Sequence, residues 1–407
     1  MRYSKMIKKS DIVAFFLPFY YLLSQYKIGS LSLGMLSLAI ISIVSIKNFS
    51  IIPREEYRPY LFFLVFIIVR DVLKVFWGYE SVQEQVFSII EYSLTFVFVF
   101  FICNTVIDEK KLYIAWKIAG LFYVVGLLYH AVMIYILGRS VSPLSIIPGY
   151  SLLEGSVFRP VSFFSEPAAF VNAIIPLLFL ALKKNDYKWA IIVTLSIFLS
   201  TSSVGVVLSL VLWVSFFWVK RKLIKGKTFI VFVLLFIIIA YLYMDIFAES
   251  LNKLELVIAQ GGSFGSRVLT GFEVVSTQTP LSLIFGTNYN TAMQYVSDHV
   301  NLFVSKVTYT YWLVGYVFMN TFSNLIFKYG IIGLALYINP LIARLLDKDY
   351  SAKPYVVSVL VAFLGQSMLL NSSYFLMVIL VISFKCEQVD AKSISVDSSC
   401  HAMNDRL

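Results

Sequence analysis

One stretch of the chain, Phe158-Arg159-Pro160-Val161-Ser162-Phe163-Phe164-Ser165-Glu166-Pro167, sets a guanidinium and a carboxylate between two prolines in apolar surroundings. Proline is well placed in the first turn of a helix, where its missing N–H costs nothing, so Pro160 predicts a helix start. Arg159 then stands at a helix N-terminus, where free N–H groups and the dipole already favour an anion. Glu166 falls about a turn and a half into that helix, and an ionisable group at membrane depth points first to function. The plainer alternative is an Arg159–Glu166 ion pair that pins the helix mouth.

A second cation, Arg267, follows Gly261-Gly262-Ser263-Phe264-Gly265-Ser266, a glycine-rich run whose backbone N–H groups can turn toward an anion. Arginine suits bidentate phosphate contact. The third arginine on that side, Arg139, ends an apolar run and reads as an interfacial anchor. His299, within Ser297-Asp298-His299, is a candidate base or phosphate ligand, although a lone loop histidine is most often solvated. His130 lies on an apolar face and reads as a packing residue. Asn320, Ser323 and Asn324 form a polar mouth ahead of Gly330 and Gly333, which permit close helix approach. Thr321 or Ser323 is the expected cap there. Arg70, Asp71 and Lys74 form an expected structural charge cluster, with Glu91 near enough in sequence to join it and Lys74 able to snorkel. No His, Asp and Glu grouping suggests a metal, and no cofactor is expected.

These residues are carried by an apolar chain. Of its 407 residues 59% are hydrophobic and 14% charged, well below the ~25% charge of soluble domains. Apolar runs recur at 11–27, 29–46, 60–77, 85–107, 112–138, 161–182, 188–202, 203–219, 228–247, 321–343, 355–370 and 371–384. They predict an all-α polytopic membrane protein of about twelve spans. The net charge of +10 could suggest a nucleic-acid partner, but most of the 33 lysines and arginines fall in one set of alternate loops. That is the positive-inside pattern, so no nucleic acid is implied, and both termini are expected in the cytoplasm. The first apolar run lacks a cleavage site and leads at once into a second, so no signal peptide is expected. Cys103, Cys386 and Cys400 imply neither disulfides nor a metal site.

The resulting division is 1–247 (spans one to nine), a large outer loop at 248–320, 321–384 (spans ten to twelve) and a cytoplasmic tail at 385–407. Loops beyond ~12–15 residues are usually functional or disordered, and the aromatics Tyr309, Tyr311, Trp312, Tyr316 and Phe318 argue for order. The expected elements are a short helix at 249–260 and an interfacial segment at 307–319. No internal repeat is visible.

In this order the motifs resemble the O-antigen polymerase and ligase superfamily of bacterial envelope glycosyltransferases. The residues that carry the likeness are Arg159-Pro160 with Phe164-Ser165-Glu166-Pro167, Leu199-Ser200-Thr201-Ser202-Ser203-Val204-Gly205, Gly265-Ser266-Arg267, Leu283-Ile284-Phe285-Gly286, and Asn320-Thr321-Phe322 with Lys328-Tyr329-Gly330-Ile331-Ile332-Gly333-Leu334. The resemblance implies an architecture like that of GT-C-type glycosyltransferases in the bacterial inner membrane. It implies a metal-independent polymerase that moves a growing glycan from undecaprenyl diphosphate to a new lipid-linked repeat unit at the periplasmic face. Arg159 and Arg267 would hold the diphosphate, with Ser165, Asn320 and Asn324 lining the glycan site and Glu166, then His299, as candidate bases. Ligases of the superfamily usually carry a histidine where this chain has Asn320, which favours the polymerase branch. The implied partners are undecaprenyl-diphosphate-linked oligosaccharide, membrane lipid, and a chain-length regulator and flippase of the same pathway. The alternatives are a flippase of lipid-linked oligosaccharide and a ligase of the same superfamily.

Overall fold

A computed structural model describes residues 9–28, 31–45, 57–76, 82–103, 107–143, 159–220, 263–313, 315, 317–347 and 350–384. The expected span at 228–247, the helix at 249–260, Gly261, Gly262 and the tail lie outside them. The regular elements among the described residues are helices, apart from one antiparallel pair of two-residue strands, β1 (Lys27–Ile28) with β2 (Leu31–Ser32).

The first set of helices is α1 (Lys9–Ser24), α2 (Leu33–Ser45), α3 (Arg58–Phe76), α4 (Val82–Cys103), α5 (Glu109–Tyr135), α6 (Pro167–Lys183), α7 (Tyr187–Leu199) and α8 (Ser203–Lys220). The outer segment then holds α9 (Ser263–Ser276), α10 (Pro280–Phe285), α11 (Ala292–Asp298) and α12 (Val307–Leu313). The chain returns through α13 (Thr321–Leu346), α14 (Lys353–Gly365) and α15 (Ser372–Ser383).

The expectation of about twelve spans is overturned. Among the described residues three helices are long and apolar enough to cross a membrane, within Val86–Cys103, Glu109–Tyr135 and Thr321–Leu346. Seven other apolar helices have 10–17 residues. At 1.5 Å per residue the twelve residues of α15 rise only about 18 Å, short of a ~30 Å hydrocarbon core. Helix α3 has 19 residues, but Arg70, Asp71 and Lys74 interrupt its apolar run. The polymerase resemblance rested on a polytopic order of spans, so it falls with that count, as do the twelve-span flippase and the ligase.

Membrane association itself is supported by the surface. On α5, Ile114, Ile118, Leu121, Val125, Leu128 and Val132 are exposed at helical spacing. On α3, Phe62, Val65, Val69, Val72 and Leu73 form a similar stripe. An uninterrupted apolar face of this size belongs against lipid rather than water. The opposite faces are packed: Trp116, Ala119, Tyr123 and Leu127 of α5 join a core that runs through α1, α6, α13 and α15. A second, smaller core of Val274, Val275, Tyr295, Val296, Phe303 and Phe327 holds α9 and α11 against α13.

Two local devices fix the ends of the bundle. At the basic end Glu109, 6% exposed, pairs with Lys183 and, at 2.9 Å, with Lys184. Nearby, Asp186 caps α7 and accepts from Tyr113 Oη at 2.7 Å and Lys117 Nζ at 3.4 Å. At the other end α13 is broken at Gly330, where φ is 68° and ψ is −174°. Glycine alone adopts that conformation without strain. The break admits the backbone of α10, and Gly286 (φ 89°) in turn lies against Lys328 and Tyr329. Gly330 was expected to serve helix packing. It does permit close approach, of α10, as one half of a backbone-to-backbone interlock.

Candidate functional site

Helix α6 begins at Pro167, not Pro160. The residue before a proline is pushed out of the helical region, and Glu166 is accordingly extended (φ −151°, ψ 159°) as the cap of α6, with no cap bond from its side chain. The expectation that Glu166 lies inside the span is therefore corrected: it stands at the mouth. Residues 159–166 form a bent segment seated on α5. His130 Nδ1 accepts from the Val161 N–H at 3.1 Å, and Ser162 Oγ donates to Tyr123 O at 2.7 Å. Gly126 lets the segment approach, since a Cβ there would meet Phe163 and Ser162. His130 is thus more than a packing residue; it satisfies a buried N–H and fixes the bend. Because Nδ1 accepts, the ring proton sits on Nε2.

Arg159 is held by Thr201, in the turn between α7 and α8. Its Nε donates to Thr201 Oγ1 at 2.9 Å and its Nη2 to the Thr201 carbonyl. The Arg159–Glu166 pair does not form. Ser165 Oγ donates to Gln25 Oε1 at 2.9 Å, at the end of α1. One turn and a half along α6, Asn172 Nδ2 donates to Gln366 Oε1 at 2.7 Å and Ser373 Oγ at 3.3 Å. The Gln366 carbonyl accepts from Thr321 N at 2.9 Å and Thr321 Oγ1 at 2.6 Å. Thr321 Oγ1 in turn accepts from Met368 N at 2.8 Å.

These bonds bring the N-termini of α6, α13 and α15 to one rim around Gln366. Gln366 is 6% exposed, and its Nε2 has no hydrogen-bond partner. A buried donor without an acceptor costs about 1–3 kcal/mol. Helix N-termini carry partial positive charge, but Thr321 N, Ser323 N and Tyr374 N are already bonded and Gln366 caps the C-terminus of α14, so the donor the rim offers to a negative group is Gln366 Nε2. Backbone strain sits at Leu370, between Gln366 and α15; of the other three non-glycine residues with positive φ among those described, Ser162 and Thr201 belong to the Arg159 segment and its anchor, and Asn185 follows α6. Strained backbone persists only where its surroundings over-determine it, and it concentrates at functional sites.

The other expected site residues divide. Asn324 Nδ2 donates to Ser367 Oγ at 3.2 Å and belongs to the rim. Asn320 does not face a chamber. It is fully buried and is itself the cap of α13, accepting from Ser323 N at 3.0 Å, where Thr321 or Ser323 was expected to cap. Arg267 lies on α9 rather than in a glycine loop, and its side chain is outside the described residues. His299 ends α11, stacked on Tyr295 at 4.5 Å, with Nδ1 donating to Tyr295 O at 2.9 Å. Beside it, burial and a hydrogen bond to Asp298 raise the Tyr289 hydroxyl above its usual range. That cluster belongs to the outer segment, and no contact among the described residues joins it to Arg159 or Glu166. Arg70 and Asp71 pair at 3.1 Å as expected. Lys74 is 5% exposed instead of snorkelling, and Glu91 is exposed on α4. No group of three metal-ligating side chains occurs among the described residues.

Gln366, Asn172, Gln25 and Thr201 went unrecognised as a set. The available signal was a lone amide in each of three apolar runs, Gln25, Asn172 and Gln366, and polar residues at membrane depth are informative. No protein-family model matches the chain, and a search of curated proteins returns no match.

Proposed function

We propose that this is a membrane-associated protein that seats the phosphate-bearing head of a lipid-linked saccharide on the rim of Arg159, Gln366 and the N-termini of α6, α13 and α15. The observation that carries the reading is the buried, unpartnered Nε2 of Gln366 at a meeting of helix N-termini. An anionic oxygen there would accept from Gln366 and be favoured by the N-termini of α13 and α15, against the opposing C-terminus of α14. Arg159, bound to Thr201 at the same end, supplies full positive charge. Lipid exposure of α3 and α5 gives a prenyl tail its surroundings. The basic end, with Lys110, Lys111, Lys117, Lys183 and Lys184, is the cytoplasmic one in this reading, so the rim faces outward across the bacterial inner membrane.

The reaction class that suits the rim is transfer of a sugar from that lipid: an acceptor hydroxyl forms the new glycosidic bond and gives its proton to Glu166, while the anomeric C–O bond to the lipid breaks and prenyl diphosphate leaves, held by Arg159 and Gln366. Purified protein should bind a short prenyl diphosphate and neither the matching prenol nor inorganic pyrophosphate with comparable affinity. Arg159→Ala should weaken that binding by about tenfold or more, the scale of a lost charge-assisted hydrogen bond. Equal binding of prenol and prenyl diphosphate refutes the headgroup reading; equal binding of pyrophosphate refutes the lipid. Glu166→Gln should retain binding and lose sugar release, and unchanged release removes Glu166 from the chemistry.

A further inference from the structure

The charged end of α3 poses a physical problem that the outer segment solves. Arg70, Asp71 and Lys74 lie on a helix whose other face, Phe62, Val65, Val69, Val72 and Leu73, is exposed and apolar. Charges at that depth are costly unless covered. They are covered: the Asp71 and Lys74 residues are each 5% exposed. Over Arg70, and through it Asp71, the cover is the end of α10. Arg70 Nε donates to Phe285 O at 3.3 Å and Nη2 to Thr287 O at 2.5 Å, while Nη1 holds Asp71. Thr287 N donates to Phe327 O at 2.7 Å, and the Gly286–Gly330 interlock locks this backbone against α13. Segment 285–287 is therefore tied to two helices of the bundle at once.

The outward face of the same short helix is apolar. Leu281 is 70% exposed, Ile284 43% and Phe285 50%, at positions that share one helix face. Leu283 turns the other way, into the second core. A segment projecting into water has no reason to show three large apolar side chains beside a charge cluster whose cover it provides. A segment at bilayer depth does, because the cover must itself present hydrocarbon to lipid.

We infer that α10 is a bilayer-seated element: its Leu281–Ile284–Phe285 face continues the lipid-facing stripe of α3, with lipid acyl chains as its occupant. The outer segment is thereby docked in the membrane surface.

The test uses the full chain with Cys103, Cys386 and Cys400 replaced by serine and single cysteines labelled with bimane. The protein is placed in phosphatidylcholine vesicles carrying a nitroxide high on the acyl chain. The label positions are Leu281→Cys, Ile284→Cys and Phe285→Cys, with Val69→Cys on α3 as the lipid-facing reference and Asn288→Cys, exposed and polar, as the water-facing one. Labels on α10 should lose most of their fluorescence to the lipid nitroxide, as at Val69, while the label at Asn288 keeps it and is quenched by aqueous iodide. Iodide quenching on α10 without lipid quenching overturns the inference. So does protection from both quenchers together with disulfide cross-linking of Leu281→Cys between copies, which would make the face a contact between chains. All three α10 positions are exposed, so the substitutions leave packing intact, and agreement among them guards against one misplaced label.

Discussion

Replacing Gly330 by alanine tests whether the backbone interlock holds the outer segment to the bundle. Two costs add. The dihedrals of Gly330 (φ 68°, ψ −174°) lie in a region essentially closed to other residues, worth about 1–3 kcal/mol. A Cβ would also stand 2.6 Å from Phe285 N and nearer still to the Ile284 carbonyl. These are backbone atoms, which cannot swing aside as a side-chain tip can, so α10 must lift from α13. Lifting it also strains Arg70, bonded to the carbonyls of Phe285 and Thr287. The expected total is about 3 kcal/mol or more, at the upper end of single substitutions. Gly138→Ala is the control: its φ is 62°, but a Cβ there meets nothing within 4 Å, leaving only the left-handed cost of about 1–2 kcal/mol. The assay is reversible denaturant titration in detergent micelles, with protease susceptibility of 280–290 as the local readout. Gly330→Ala should lower stability well beyond Gly138→Ala and expose that segment to cleavage. Gly286→Ala should do the same, and the double variant should cost less than the sum, because both break one contact. A Gly330→Ala variant within about 0.5 kcal/mol of Gly138→Ala would refute the interlock.

Three further outcomes follow from single contacts. Asp186, outside the span-length helices, is pushed up by partial desolvation, but Tyr113, the Trp189 N–H and Lys117 outweigh that and lower its pKa. Its stabilisation is therefore complete above its ordinary value of 3.8 and lost as pH falls through the lower folded value. Asp186→Asn should depress Tm at pH 7 and converge on the parent as the buffer is taken below pH 3.8; a constant gap contradicts the assignment. Glu273 accepts from Val307 N at 3.3 Å, Thr308 N at 2.8 Å and Thr308 Oγ1 at 2.6 Å, so Glu273→Ala should destabilise α12 by about 1–2 kcal/mol. Amide exchange at Thr308 that stays as slow as in the parent would exclude that capping role. His130→Phe leaves the Val161 N–H without an acceptor and should cost about 1–3 kcal/mol while also weakening prenyl diphosphate binding. Unaltered binding would show that the bend is not set from α5.

Much of the helix pattern was legible because apolar runs bounded by charged caps are read directly: α5, opened by Asp108 and continuous to Tyr135, is one such run. Span length was not. Runs such as 188–202 and 371–384 merge helix, turn and cap, and hydropathy cannot say where the helical hydrogen bonds stop; α7 and α15 keep 13 and 12 residues. The choice between Pro160 and Pro167 was also open to sequence reasoning, since both permit a helix start. The contact of His130 with Val161 decided it, and a bond between residues 31 apart leaves no local trace. Arg159 was expected at a helix N-terminus, but it stands eight residues ahead of α6, and its anchor in Thr201 is a tertiary fact. Gln366 was invisible for the opposite reason: one amide in an apolar run looks incidental until three helices converge on it.

The most direct measurement is the affinity of a short prenyl diphosphate for Gln366→Glu, set beside the parent and Gln366→Met. The glutamate keeps the shape and places a carboxylate oxygen where the unpartnered N–H now stands. If that N–H receives an anion, Gln366→Glu should abolish detectable binding and Gln366→Met should weaken it by about tenfold. Parent-like affinity in Gln366→Glu, with the fold intact by circular dichroism, would contradict the account.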